Sequence, residues 1–325
     1  MSNPSVTLPA RRRNRLSMTT PAAVVALIVV ACNSQATTPS PNPSGASASP
    51  TAAPSGTPAT SPSSEPSTVG AIDHKTGATD VVLRIETGGG FVPMDFLATQ
   101  APTFTLFGNG VIVFQPKVLT SPEPDANGVI KGTQWRTASL DEGQIQELLE
   151  FALGQGGLGG ARDSYVEGGI ADAPSTIFTI HAGGVDKTVT VNALSEEPQP
   201  GADAIARAAF WKLASRLQDF DQGGSVATDP YAPDRFRGVL IERDPQPGVT
   251  PLAWPWTSIP FGEFKEGPPD GSGPTTFPHR TLTAADAAEL KIDGINGGVQ
   301  GIAIKAPNGK VYGLVLRPLL ADETE

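Results

Sequence analysis

The stretch Phe104-Thr105-Leu106-Phe107-Gly108-Asn109-Gly110-Val111-Ile112-Val113-Phe114 predicts a β-hairpin, the element on which the fold class depends. Aromatic and β-branched residues, which favour strands, lie on both sides of Asn109-Gly110, a dipeptide typical of tight hairpin turns. Upstream, Asp80–Glu86 predicts another strand, which ends at Gly88-Gly89-Gly90. These glycines lack the G-x-G-x-x-G spacing of a phosphate-binding loop, so we interpret them as turn residues.

Two helices and a second hairpin are expected after the first hairpin. Ser139 and Glu142 form a capping-box pattern ahead of a helix that ends near Leu153. A hairpin is predicted over 176–191 around Gly183-Gly184, followed by a helix over about 202–220. The expected buried stripe of the first helix is Ile145, Leu148, Leu149 and Ala152, and that of the second is Ile205, Ala209, Leu213, Leu217 and Phe220.

Similar elements occur again after residue 222. Phe236–Glu242 predicts a strand, Thr283 and Asp286 form a capping box, and 302–316 predicts a hairpin that turns at Asn308-Gly309. A helix followed by a hairpin therefore occurs twice, which an ancient duplication and independent convergence explain equally well. The sequence predicts an α+β fold of antiparallel β-hairpins alternating with a few helices, in (sub)domains 71–222 and 223–325, with two related strand-helix-hairpin halves as one interpretation.

Residues 32–70 have the composition of a tether. Beyond Cys32 they are almost wholly small, polar or proline residues, with Glu65 as the one charge and no aromatic side chain. Such a segment cannot bury enough apolar surface to offset the entropy of ordering, so we expect disorder and a mean span of about 35 Å. A mucin-like glycosylated stalk is the alternative.

Residues 1–31 have the features of a signal peptide. Arginines at 11, 12, 13 and 15 precede the uncharged stretch Pro21–Ala31, whose eleven residues are too few to span a membrane. Arg15 stands where a twin-arginine motif has an aromatic or aliphatic residue, so the general secretory route is favoured.

The end of this stretch, Val29-Val30-Ala31-Cys32, resembles the lipobox of bacterial lipoprotein precursors. The resemblance implies cleavage after Ala31, lipidation of Cys32, including palmitate-type acylation, and anchoring to the outer face of the cell membrane. Two or three acyl chains hold a protein firmly on a membrane, whereas one does so only marginally. An ordinary secretory cleavage next to an incidental cysteine is the alternative.

Charge and cysteine content limit the functional classes. Removal of residues 1–31, which carry four arginines and no acidic residue, changes the formal net charge from −10 to −14. A surface this acidic repels phosphate backbones, so nucleic acid is not an expected partner. Cys32 is the single cysteine, so the exported domain has no disulfide and depends on its own core.

Residues with catalytic or metal-binding chemistry form no recognised motif. His74, His181 and His279 have no second histidine or cysteine at ligand spacing, so neither a metal site nor a cofactor is expected. The segment 219–224 begins like a calcium loop but lacks the later ligands, which favours helix termination. Asp163, Glu167 and Asp172 are candidate carboxylates for glycoside chemistry if two of them face each other.

An aromatic segment, Trp254-Pro255-Trp256-Thr257-Ser258-Ile259-Pro260-Phe261, is the strongest binding candidate. In an extended strand Trp254 and Trp256 lie on the same side, where with Phe261 they could stack on a sugar or hold a peptide. The alternative, which the sequence favours, is that they fill the core where the two halves meet.

The globular part also resembles a family of uncharacterised exported proteins of high-GC bacteria, a domain of unknown function. The resemblance is carried by Leu83–Glu86, Gly89-Gly90-Phe91, Pro102–Gly110 and Asp172–Thr176. It implies an α+β fold in an extracytoplasmic setting and no activity. We therefore expect a cell-envelope lipoprotein with a non-catalytic binding or assembly role toward an envelope protein or glycan; a carboxylate-dependent envelope hydrolase acting on glycan or peptide is the alternative.

Overall fold

The computed structural model describes residues 70–92, 100–118, 120–168, 170, 172–266 and 277–324, which belong to one compact unit. The predicted signal peptide, the predicted lipidation site Cys32 and almost all of the predicted tether lie outside the described residues. None of the helices described is long and apolar enough to cross a membrane.

The described residues contain fourteen strands and three α-helices. In chain order the elements are β1 (Val81–Gly88), β2 (Phe104–Phe107), β3 (Val111–Phe114), β4 (Ile130–Lys131), β5 (Arg136–Ser139), α1 (Glu142–Leu153), β6 (Ser164–Tyr165), β7 (Ser175–Ala182), β8 (Val185–Asn192), α2 (Ala204–Gln218), β9 (Asp229–Pro230), β10 (Arg235–Glu242), β11 (Leu252–Ala253), β12 (His279–Thr283), α3 (Ala284–Ala288), β13 (Val299–Lys305) and β14 (Val311–Pro318). Antiparallel hairpins alternate with a few helices, which confirms the predicted fold class.

The strands form two sheets. The first has the order β6-β8-β7-β1-β2-β3-β5-β9 and the second has the order β11-β13-β14-β10-β12, with β4 paired to β13. All pairs are antiparallel except β6 with β8 and β11 with β13, which involve two-residue strands. Each sheet therefore takes most of its strands from one side of residue 222.

The three predicted hairpins are β2–β3, β7–β8 and β13–β14. In the first turn Gly110 has a φ of 82° and its N–H donates to the carbonyl of Phe107 at 3.0 Å. An added Cβ at this position would lie 2.4 Å from the carbonyl oxygen of Leu140. Gly110 is thus required both by the backbone angle and by the close approach of the chain that leads into α1.

The predicted cap of α1 was wrong by two residues. Asp141, not Ser139, is the N-cap: its carboxylate accepts from Gln144 N at 2.9 Å, and Gln144 Oε1 accepts from Asp141 N at 3.0 Å. Ser139 ends β5 and pairs with Val111. Because the ladder keeps the backbone of Ser139 extended until the sheet edge is passed, the helix starts later than the local pattern suggests.

The first core lies between one face of the first sheet and helices α1 and α2. Ile145, Leu148, Leu149 and Ala152 of α1 are all buried there, as predicted. The prediction for α2 holds in part: Leu213 and Leu217 are buried, whereas Ile205 is exposed and Ala209 and Phe220 are only partly buried. The buried residues of α2 are Arg207, Phe210, Leu213, Ala214 and Leu217.

The second core lies on one face of the second sheet, beneath α3 and the aromatic segment. Thr283 caps α3 through a complete capping box with Asp286, as the sequence predicts. Phe236, Leu282 and Leu316 are at most 1 % exposed at its centre.

The two sheets are interlocked by short exchanged segments. Strand β4 comes from the first half and pairs with β13, whereas β9 follows α2 and pairs with β5 of the first sheet. Leu320, after the last strand, is buried with Phe107, Val113 and Trp135 on the face of the first sheet opposite the helices. The halves 71–222 and 223–325 thus share backbone pairs and a small core.

The hairpins that follow α1 and α3 join their sheets differently. After α1, the first hairpin strand β7 pairs with β1, the first strand of its sheet. After α3, the second hairpin strand β14 pairs with β10, the strand that occupies the equivalent position. A duplication would preserve this connection, so the difference favours convergence on a common building rule.

Candidate functional site

A cleft of about 370 Å³ lies between the first turns of α1 and the last turns of α2. Its apolar lining consists of Leu140, Leu148, Phe220 and Val226. Its polar lining consists of Gln144, Glu147, Ser215, Arg216, Asp219 and Gln222. A volume above about 300 Å³, apolar walls and a few polar groups are typical of small-molecule sites. We therefore take this cleft as the candidate site in preference to the pocket of about 40 Å³ beside Arg243 and Tyr312.

The ends of two helices create the cleft. Phe220 lies two residues after the end of α2, and its ring centroid is 5.5 Å from those of both Phe104 and Phe114, so the ring lies at the sheet surface. The following turn is closed by Gly223 N, which donates to the Asp219 carboxylate at 3.2 Å, and Gln222 has a φ of 49°. The sequence predicts a helix end here because 219–224 lacks the later ligands of a calcium loop. This turn forms one wall of the cleft.

The charges in the cleft nearly cancel. Arg216 Nη2 lies 3.3 Å from Glu147 Oε1, and its guanidinium lies 4.3 Å from the centroid of the Phe151 ring. The ion pair is exposed and contributes little stability, but with the ring contact it holds Arg216 in place. Asp219 leaves a single negative charge, so the cleft favours neutral polar ligands over anions.

Two carboxylates, Glu147 and Asp219, line the cleft, which bears on the hydrolase alternative. Both are exposed to solvent, and each already interacts with a neighbouring group, Arg216 and Gly223 N respectively. A general acid in glycoside hydrolysis depends on burial of its carboxyl group. Neither Glu147 nor Asp219 has the buried environment on which that role depends.

The aromatic segment packs into the second core. Trp256 is only 3 % exposed, its Nε1–H donates to the Asp286 carbonyl at 2.8 Å, and its ring contacts Phe264. Trp254 is half-buried, donates to the Ile259 carbonyl at 2.8 Å, and lies edge-on to Trp256 with centroids 5.1 Å apart.

Phe261, the third candidate of that segment, is half-buried against Tyr312. The rings of the two tryptophans lie next to each other, but both indole N–H groups donate to carbonyls within the protein. The segment therefore packs into the core of the second sheet, to which the first half contributes Val129.

Each histidine ring has its own partner. The ring of His74 is 3.3 Å from Glu142, that of His181 is 2.8 Å from Asp186 across the β7–β8 pair, and that of His279 contacts the Phe277 carbonyl at 2.9 Å. In the described ranges no group of three or more metal-ligating side chains converges.

The candidate carboxylates of 163–172 have different surroundings. Glu167 lies 3.5 Å from Arg207, a buried arginine that also donates to the carbonyls of Asn192 and Tyr165. Asp163 and Asp172 are exposed. Glu167 therefore neutralises a structural arginine that holds α2 against β6 and β8.

A charged cluster, the C-terminal clasp, consists of Arg84, Arg317, Asp322 and Glu323. Arg84 Nη2 donates to Asp322 at 2.7 Å, and Arg317 donates to both carboxylate oxygens of Glu323. Glu86 faces this cluster: burial raises its pKa, opposed by the charge of Arg84 and reinforced by the nearby carboxylates. Burial, with nearby carboxylates, also raises the pKa of Tyr231 to about 12, and its phenol donates to the Leu319 carbonyl.

Sequence reasoning missed the cleft and the C-terminal clasp. Gln144 and Asp219 are typical exposed helix residues, and nothing local indicates that they line one cavity. Arg84 and Asp322 are 238 positions apart. Only the final fold brings either group together.

Comparison with family models, with curated proteins and with solved structures gives no match for this chain. The resemblance to exported proteins of high-GC bacteria therefore has no matching family model behind it and stays a prediction.

Proposed function

We propose that this chain is a lipoprotein held by Cys32 on the outer face of the cell membrane, with a folded part that binds a neutral envelope glycan in the cleft between α1 and α2. The observation that carries the binding role is the cleft itself, which combines an aromatic and aliphatic floor with polar walls. The sequence of residues 1–70 supports the envelope setting, through its lipobox-like motif and tether composition.

Glycan as the ligand class follows from the chemistry of the lining. Sugar rings present apolar C–H faces that pack on rings such as Phe220, and their hydroxyls pair with groups such as Gln222 and Ser215. The chain has a negative net charge, and Asp219 leaves one negative charge in the cleft. Both charges disfavour phosphate-bearing polymers. Because both carboxylates of the cleft, Glu147 and Asp219, are exposed, the proposed role is glycan binding without bond cleavage.

The anchor is tested by membrane fractionation. Replacing Cys32 with alanine removes the acylation site and is expected to shift the protein from the membrane to the soluble fraction. Retention of the Cys32→Ala protein in the membrane fraction in unchanged proportion would refute lipid anchoring.

The cleft is tested by calorimetric titration with an uncharged oligosaccharide of N-acetylglucosamine. Ser215→Trp is expected to fill the cleft and weaken binding by about tenfold or more. Ala208→Trp, two turns earlier on the exposed face of α2, is the matched control and is expected to bind like the unaltered chain. Equal affinities for the two tryptophan variants, or no titratable binding by the unaltered chain, would contradict the proposal.

A further inference from the structure

Exposed apolar side chains are concentrated at one end of the first sheet. The described residues contain six large hydrophobic side chains that are exposed, and four of them belong to segments that meet at this end. We call them the distal patch: Phe91 (91 % exposed), Val166 (74 %), Ile170 (48 %) and Ile205 (88 %).

Strand register places these segments together. Gly88 at the end of β1 pairs with Ser175 at the start of β7, which in turn pairs with Asn192 at the end of β8. Phe91 follows β1 and donates its backbone N–H to the Asp172 carbonyl at 3.2 Å, two residues after Ile170. The chain segments that carry Phe91 and Ile170 are thus in direct contact.

Arg207 joins the other two members to the same end. Its guanidinium donates to the Asn192 carbonyl at 2.9 Å and to the Tyr165 carbonyl at 3.3 Å. Tyr165 directly precedes Val166, and Ile205 lies two residues before Arg207 in the first turn of α2. The first turn of α2 and the end of β6 therefore meet at the end of β8.

The described chain begins at the opposite end of the sheet. Gly183 N, in the β7–β8 turn, donates to the Asp73 carbonyl at 2.8 Å, and Ile72 N donates to Gln146 of α1 at 2.6 Å. The eight residues of β7 separate this end from the distal patch, a length of roughly 23 Å. The distal patch therefore lies at the end of the first sheet opposite to the one at which the described chain begins.

The charge around the distal patch is acidic. Asp163, Asp172, Glu196 and Glu197 are exposed in the segments that border it. The nearby Arg162 is paired with Asp203 at 2.6 Å, and Arg207 is buried against Glu167. Anionic headgroups and a second copy of this acidic end would both be repelled, whereas a basic surface would be attracted.

We infer that the distal patch docks a protein segment that presents apolar side chains flanked by lysine or arginine. Exposed apolar side chains that are gathered on adjoining segments and bordered by charged residues are typical of protein interaction sites. This inference rests on the patch and its charged border and does not depend on the proposed lipid anchor.

The test uses the full-length chain with Cys32→Ser, so that failure of the anchor does not affect the result. A phage-displayed library of random short peptides is selected against it. We expect enrichment of sequences that combine apolar residues with lysine or arginine, and binding weakened about tenfold or more by Ile205→Ser with Val166→Ser. The Glu196→Gln, Glu197→Gln double variant should weaken binding and reduce its dependence on salt.

Leu252→Ser, at an exposed apolar residue of the second sheet, is the matched control and should bind the selected peptides normally. Selected peptides that lack basic residues, or that bind the patch variants and the control equally, would overturn the inference. So would patch-dependent dimerisation in sedimentation or patch-dependent binding to phosphatidylcholine vesicles, because either would identify a different occupant.

Discussion

Glu323 and Arg317 are joined by two parallel hydrogen bonds, from Nη2 to Oε1 at 2.7 Å and from Nη1 to Oε2 at 3.0 Å. The carboxylate also accepts from the backbone N–H of Leu320 at 2.8 Å, and Arg235 donates to the Glu323 carbonyl. The last described residues are thereby tied to β14 and β10, and through Asp322 and Arg84 to β1 of the first sheet.

The Glu323 pair predicts a pH-dependent stability. Burial tends to raise the pKa of Glu323, but the hydrogen bonds and charge of Arg317 together with Leu320 N–H outweigh it and hold the pKa below its usual range. A lowered pKa in the folded state stabilises at pH values above the unfolded value of about 4.3 and is lost as pH falls through the folded value. Glu323→Gln should therefore reduce the free energy of unfolding by roughly 1–3 kcal/mol at neutral pH, and by progressively less below about pH 4.

Urea unfolding at several pH values measures this difference. Glu242→Gln, which removes the partner of Lys310 from an exposed pair, is the control and should have a much smaller effect. A loss for Glu323→Gln that is constant from pH 7 to pH 3 would show that the charge of Glu323 is not its cause.

The cap of α1 predicts opposite outcomes for two neighbouring polar residues. Asp141→Ala should lower the free energy of unfolding by about 0.5–2 kcal/mol, because Gln144 N loses its acceptor. Ser139→Ala should change it by less than about 0.5 kcal/mol, since Ser139 is an exposed strand residue. Equal losses of unfolding free energy for the two variants, in thermal or urea unfolding, would show that Asp141 is not the N-cap of α1.

The first core predicts unequal losses from two aliphatic side chains. Leu149 of α1 is fully buried, so Leu149→Ala should cost about 2–5 kcal/mol through lost transfer energy and a cavity. Ile205 of α2 is exposed, and Ile205→Ala should cost less than about 0.5 kcal/mol. Urea midpoints with an unchanged m-value distinguish the two, and a loss below about 1 kcal/mol at Leu149 would remove α1 from the core.

The aromatic segment predicts a loss of stability without loss of ligand binding. Trp256→Ala should cost about 3–5 kcal/mol, because it removes a buried ring and one of the two donors to the Asp286 carbonyl. Protein that remains folded below its midpoint should still bind the oligosaccharide used to test the cleft. Full stability with abolished binding would restore the interpretation of Trp256 as a ligand-stacking residue.

One local prediction failed and a second held only in part, for identifiable physical reasons. The Ser139 pattern is a valid cap in isolation, but pairing with Val111 extends the strand past it, and the equally suitable Asp141 takes the role. The helical stripe through Ile205 is consistent with a 3.6-residue period, but the aliphatic portion of Arg207 and the ring of Phe210 occupy the sheet face, with the guanidinium satisfied by backbone carbonyls. Tertiary contacts selected between two patterns that the local sequence allowed.

The sequence by itself determined the elements with strong local causes. Gly110, Gly183-Gly184 and Gly309 have positive φ angles at the three hairpin turns, and the Thr283–Asp286 capping box begins α3, so hairpins, helices and the α+β class follow from residues a few positions apart. Only the tertiary structure decided that Glu147 and Asp219 line one cleft, that Arg84 meets Asp322, and that four exposed apolar residues share one end of a sheet. Such contacts depend on strand order and register, which are set by the burial of whole sheet faces and by long loop closures, and no local pattern encodes them.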